Sequence, residues 1–142
     1  MTPEQIRLIQ ESFKKVQPIA DQAAALFYDR LFTIDPSLRP LFKGDMKEQG
    51  RKLMTTLGLV VAGLERLDKL VPVVRELGQR HEGYGVQPGH YHTVSAALLW
   101  TLEQGLGADF TAEVRHAWAA AYNILAAIMI EAGAQRNVRA SA

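Results

Sequence analysis

The sequence predicts an all-α protein of about seven or eight helices, on three observations. Apolar residues recur every three or four positions along most of the chain. Cap-plus-proline signals at Thr2-Pro3 and Asp35-Pro36 punctuate those stripes. No stretch alternates with period two for long enough to argue a strand. The 142 residues form one domain, 1–142, which can bury ~70% of the surface its unfolded chain exposes.

Each element follows from its residues. Thr2, Pro3 and Gln5 supply an N-cap, a first-turn proline and a capping-box partner, and Ile6, Ile9, Phe13 and Val16 then fall on one face. Pro18 interrupts this helix; a second, with Leu26, Phe27, Leu31 and Phe32, runs to about Ile34. Asp35-Pro36-Ser37 opens a short helical turn ending near Phe42, and the polar segment Lys43 to Lys47 reads as a loop. From about Met46 to Leu64 one face carries Gln49, Leu53, Leu57, Val60 and Leu64. Leu67 and Leu70 lead into Pro72, which predicts a break, followed by a short stripe of Val73, Val74, Leu77 and His81 that Gly83-Tyr84-Gly85 ends. After a turn at Pro88-Gly89, a long helix carries Tyr91, Val94, Leu98 and Leu102 as far as Gly105 and Gly107. Thr111 caps the last helix, with Val114, Trp118, Tyr122, Leu125 and Met129 aligned. From Gly133 the stripe is lost, and residues 133–142 are expected to fray.

Composition excludes many functions. Sixteen basic against fifteen acidic residues give a formal +1, so the broad field that attracts phosphate backbones or anionic lipid is absent, and no nucleic-acid or membrane partner is expected. With no cysteine, disulfides, thiolate zinc sites, iron–sulfur clusters and cysteine nucleophiles are ruled out. A metal must be held by histidine, carboxylate or a cofactor. Charges scattered through Thr2 to Arg7 do not fit a secretory leader. The apolar run Ala117 to Ile130 falls short of the ~20 residues that span a bilayer. A cytoplasmic protein is expected.

Common catalytic motifs fail against the letters. Gly83-Tyr84-Gly85 begins a dinucleotide fingerprint, but Pro88 stands where its third glycine belongs. The P-loop, the nucleophile elbow and the zinc-protease helix are absent. Among the four histidines, His116 reads as surface, and His90 and His92 point about 200° apart and cannot chelate one metal. His81 differs: it continues the apolar stripe of Val74 and Leu77, so its ring faces the interior and needs a partner. Tyr28 interrupts the apolar face of the second helix, and Gln49 lies one turn before Leu53. Three polar groups thus point toward one oily centre, and they either bond to each other or surround a ligand.

The segments Leu26-Phe27-Tyr28-Asp29-Arg30-Leu31-Phe32, Asp35-Pro36 through Leu41-Phe42, Gln49-Gly50-Arg51-Lys52-Leu53, His81 with Tyr84-Gly85-Val86, and Ala117-Trp118 with Ala121-Tyr122 stand in an order and spacing that resembles the globins. The similarity is greatest to bacterial single-domain globins and the haem domains of flavohaemoglobins, over roughly Thr2 to Ala132. The resemblance implies a globin fold around haem b, iron protoporphyrin IX. It makes His81 the proximal iron ligand and Phe42 the ring against the porphyrin. Tyr28 and Gln49 become the distal pair that bonds a gas ligand, with Leu53 as pocket wall. Leu77, Val86 and Val94 become apolar contacts, Lys52 and Arg80 propionate partners, and Ala24 and Gly50 a close helix crossing.

Two departures qualify the match. Gln49 replaces the distal histidine usual in animal oxygen carriers, so an open or water-occupied sixth position is expected. In flavohaemoglobins the tyrosine matching Tyr91 pairs with a glutamate on the last helix, but here that position is Gly133, and Glu131 lies about 200° round the helix. The reductase that follows in flavohaemoglobins has no counterpart in the sequence. The expected function is reversible binding of dioxygen, and of carbon monoxide and nitric oxide, in an oxygen-carrier role. The alternative is nitric oxide oxidation to nitrate, which needs a separate reductase. A gas sensor would need a signalling partner, and a haem-free helical bundle is the remaining class.

Overall fold

The structure is a computed structural model that describes the backbone of residues 1–141 and the side chains of residues 1–135. It is all-helical: among the described residues there are six α-helices, α1 (Pro3–Val16), α2 (Ala20–Ile34), α3 (Met46–Gly63), α4 (Leu67–Gly83), α5 (His90–Leu106) and α6 (Ala112–Ser141). Short 3-10 turns at Gln17–Ile19, Pro36–Leu41, Leu64–Arg66 and Gly107–Asp109 join them. The expected seven or eight helices become six because the chain from Pro36 to Leu41 winds only as a 3-10 turn and α4 is continuous.

The starts of the elements follow the caps. The Thr2 hydroxyl accepts from the Gln5 amide while the Gln5 side chain takes the Thr2 amide. Asp35 caps the Pro36–Leu41 turn through the Ser37 amide, Asp45 caps α3 through Lys47, and Thr111 caps α6 through Val114. Each side-chain oxygen satisfies an amide that has no partner inside its helix.

Pro72 does not break α4, contrary to expectation. Leu70, Val74 and Gly78 recur every fourth position and are all buried, so packing one continuous stripe outweighs the hydrogen bond that the proline removes. The last helix also differs. It continues past Gly133, with Ala132 fully buried and the position of a Cβ on Gly133 only 3.1 Å from that of Glu82. The side chains expected to fray beyond Gln135 lie outside the described residues. Helix α6 is also longer than its apolar run implies: Ala112–Gln135 is long and apolar enough to cross a membrane by length and composition. Val114, Ala117, Trp118, Ala121 and Ala126 are nonetheless buried, as in the core helix of a folded domain.

Packing pairs α4 with α6, α2 with both α5 and α3, and α1 with α6. Two crossings depend on missing side chains. A Cβ on Gly50 would meet the Ala24 methyl at 2.9 Å, and one on Gly78 would lie 2.4 Å from the Met129 carbonyl oxygen. Ile9, Phe13, Phe27, Leu31, Leu98 and Trp118 belong to one core, and the Trp118 indole donates to the Ser12 hydroxyl at 2.9 Å. Helix α3 packs on α2 and α1, α4 packs on α6, and α3 and α4 also touch each other.

Candidate functional site

Helix α4 carries His81 in its last turn. Its Nδ1 lies 2.8 Å from the Leu77 carbonyl oxygen, and because a carbonyl can only accept, that nitrogen holds the proton. Nε2 is left with the lone pair and, among the described residues, no hydrogen-bond partner. Burial lowers the pKa of the ring, with the Arg80 charge adding to the effect and the Leu77 bond opposing it. The imidazole is therefore neutral and basic at Nε2, the protonation state a metal ligand needs. Tyr91 from α5 stacks beside it, with ring centroids 6.4 Å apart and planes at 30°.

On the α2 side, Tyr28 is 8% exposed and burial pushes its pKa up to about 12, so its hydroxyl keeps its proton at neutral pH. It sits in an aromatic cluster, 5.3 Å from Phe42 and 6.0 Å from Phe32 between centroids, with Phe32 and Phe42 5.4 Å apart. The two sides approach through the loop after α4. Gly85 adopts φ 95°, a conformation open to glycine, and the position of its missing Cβ is 3.4 Å from the Leu41 side chain. The Val86 amide folds back onto the His81 carbonyl at 3.0 Å.

The distal pair expected from the sequence is arranged differently. The Tyr28 hydroxyl donates to the main-chain oxygen of Gln49 at 3.3 Å, while the Gln49 side-chain amide donates to the Lys43 carbonyl at 3.1 Å. That carbonyl precedes α3 and has no helical partner, and the Gln49 side chain reaches back to supply one. Leu53 is half-buried and borders an apolar cavity of about 20 Å³ lined also by Phe13, Phe27, Leu57, Leu98 and Trp118, which has room for one water-sized guest. Leu77, Val86 and Val94 are half-buried. Lys52 is exposed, and Arg80 is paired with Glu76 at 2.6 Å on its own helix.

His90 accepts from the Gln87 amide at 3.0 Å, and His92 and His116 are exposed, in keeping with structural or surface roles. Among the described residues no group of three His, Asp or Glu side chains could hold a bare metal ion. Sequence reasoning missed three contributors. Lys43 acts through its backbone, which no side-chain pattern reveals. The second is Leu41, opposite Gly85. The third is the backbone oxygen of Tyr91, which accepts from the Tyr122 hydroxyl and ties α5 to α6 behind the histidine.

A globin family model matches residues 25–129. The chain is 31% identical over 145 residues to a flavohemoprotein of Bordetella parapertussis, covering all of this chain and 36% of that protein. It is 29% identical over 124 residues to the flavohemoprotein of Bacillus subtilis strain 168, covering 85% and 31% respectively. The chain thus spans about a third of the length of the curated relatives it matches. Among solved structures it is similar to an engineered carbene transferase described as a candidate nitric oxide dioxygenase of Rhodothermus marinus, with TM-score 0.90, 25% identity and coverage of 100% and 99%. A bacterial globin from Campylobacter jejuni gives TM-score 0.82 at 25% identity, covering 94% and 97%.

Proposed function

This chain belongs to the globin family, and we propose that it holds haem b between α3 and α4 and binds dioxygen reversibly. The observation that carries the proposal is the tautomer of His81: a half-buried imidazole whose Nδ1 proton is fixed by Leu77 and whose Nε2 has no hydrogen-bond partner among the described residues. The residues fit a haem: one neutral nitrogen ligand, an aromatic wall at Phe42, apolar contacts at Leu77, Val86 and Val94, and an exposed cation at Lys52 for a propionate. Arg80 is the weaker candidate for that contact because Glu76 already holds it. The family to which the chain belongs implies the haem cofactor and diatomic gas ligands.

Bound there, the haem would supply an iron able to take up a diatomic gas. The protein's own groups then decide which gas stays. Tyr28, protonated at neutral pH, turns its hydroxyl from the long Gln49 carbonyl contact to a partly negative ligand, a charge-assisted bond of roughly twice ordinary strength. Gln49 becomes the second donor when its amide leaves the Lys43 carbonyl. Leu53 keeps the space beside them small and dry, and the cavity behind it gives an apolar stopping place to a gas molecule. Tyr91 and the Leu77 carbonyl hold the His81 ring in one orientation.

A second reading, oxidation of nitric oxide to nitrate with an external reductase, is favoured by the full-length likeness to a candidate nitric oxide dioxygenase. The first reading is tested by loading the purified chain with haemin, reducing it anaerobically, and cycling oxygen and argon. The expected result is a spectrum that shifts with oxygen and returns under argon over several cycles. Immediate irreversible oxidation in every cycle, with no intermediate spectrum at millisecond resolution, contradicts reversible binding.

A further inference from the structure

Both readings of the site require electrons, because haem oxidised during gas binding or nitric oxide turnover stays ferric until reduced. The inference that follows rests on that requirement. The charges of the chain, nearly balanced overall, are unevenly placed. Arg39, Lys43, Lys47, Arg51 and Lys52 fall within the fourteen positions 39–52, against Asp45 and Glu48. The other 128 residues then hold eleven basic and thirteen acidic groups. A neutral-looking protein is therefore polar, with a net +3 segment on a body of net −2.

All five basic side chains are exposed. The ion pairs Glu4–Arg7, Arg7–Glu11, Lys15–Asp109 and Glu76–Arg80 lie elsewhere, so among the described residues none of these pairs neutralises any of the five. Asp45 is occupied as the α3 N-cap. Helix geometry sets Lys47 and Arg51, four positions apart on α3, on one face. Arg39 is held beside that helix start: its guanidinium lies 5.3 Å from the Phe32 ring centre and donates to the Met46 sulfur at 3.4 Å.

The position of this surface matters as much as its charge. Phe32, under Arg39, touches Phe42 and Tyr28, two residues of the proposed haem site. A partner seated on the basic segment thus stands two contacts from the site, Arg39 on Phe32 and Phe32 on Tyr28 or Phe42. We propose that the segment 39–52 is the docking surface for an acidic protein that delivers single electrons to the haem. In each transfer a donor flavin hydroquinone loses one electron and releases one proton to solvent as it becomes the semiquinone, and ferric haem gains that electron and becomes ferrous. Opposite charges raise the encounter rate and set the orientation, and both effects fall with salt. A nucleic acid fits less well, since Asp45 and Glu48 interrupt the basic run.

The test uses the haem-loaded, nitrogen-15-labelled chain and a flavodoxin, an acidic flavin mononucleotide protein, as the probe. Backbone shift changes should be confined to residues 39–52 and their neighbours, and binding should weaken about tenfold or more between low and physiological ionic strength. Lys47→Glu with Arg51→Glu should weaken binding at least about tenfold, and the Gln pair should weaken it by less. Lys14→Glu with Arg115→Glu, on α1 and α6, should leave it unchanged. The rate of haem reduction by flavodoxin hydroquinone should fall in step, while reduction by an uncharged deazaflavin radical stays the same. The proposal is overturned if the shifts map elsewhere, if the control pair weakens binding equally, if neither α3 pair weakens it, or if anionic phosphatidylserine vesicles or single-stranded DNA bind more tightly than flavodoxin. Failure of the chain to take up haemin would instead overturn the reading of the site, and calorimetry of flavodoxin binding to the haem-free chain would still decide the docking surface.

Discussion

Replacing Tyr28 by Phe keeps the ring in its aromatic cluster and deletes one donor. The cost to the fold should be small. The hydroxyl contact to the Gln49 carbonyl, at 3.3 Å, is longer than an ordinary O–H···O bond, and that oxygen belongs to the hydrogen-bonded ladder of α3. The ring contacts to Phe27, Phe32 and Phe42 survive, so the loss of stability should stay under about 1 kcal/mol. The cost to gas binding should be larger. A hydrogen bond to a charged or strongly polarised acceptor is worth about 1.5–3 kcal/mol, which corresponds to roughly 10- to 150-fold in affinity. Flash photolysis and stopped-flow mixing would read this mainly as faster oxygen release, because the donor acts on the bound state. Carbon monoxide, a poorer acceptor, should change much less. Equal losses for both gases would show that Tyr28 acts through pocket shape, and an unchanged oxygen off-rate would remove it from the distal site.

Three further outcomes are expected. Gly78→Ala places a methyl 2.4 Å from the Met129 carbonyl oxygen, and separating α4 from α6 should lower stability by about 1–3 kcal/mol in urea unfolding; a neutral result would mean that the crossing relaxes freely. For Tyr28, the folded pKa of about 12 lies above the ordinary value of 10, so its contribution is full below pH 10 and is lost as pH rises through about 12. Thermal unfolding between those limits should therefore lose stability less steeply in Tyr28→Phe than in the parent chain. The oxygen-loaded chain should convert about one nitric oxide per haem to nitrate in a fast burst and then stop with NADH alone, resuming when a flavin reductase is added. Sustained turnover by the pure chain with NADH would contradict the carrier reading.

Much of the fold was legible because local signals and packing agreed. The Thr2, Asp35 and Thr111 caps act on the amides next to them in sequence, and the small residues Ala24 and Gly50 meet in space as the family resemblance implied. Pro72 misled because a local rule for proline was outweighed by burial of Leu70, Val74 and Gly78, the last of which packs on Met129 of α6, 51 residues further along the chain. His81 could be singled out as the polar member of an apolar stripe, but its tautomer depends on a backbone oxygen one turn earlier, which no side-chain letter encodes. The same limit applies to Gln49, whose amide follows the unpartnered carbonyl of Lys43. The basic surface was hidden by a net charge near zero, because the sum over the chain cancels what the segment 39–52 concentrates.

The measurement that tests the central claim most directly is a haemin titration of the chain and of His81→Ala side by side, followed in the Soret region and after reduction. The chain should saturate at one haemin with the ferrous spectrum of a single imidazole ligand. His81→Ala should bind more weakly and lack that spectrum until free imidazole is added to fill the vacated space. Indistinguishable spectra and affinities for the two proteins would contradict the assignment of His81 as the iron ligand, and no saturable binding by either would contradict the haem site itself.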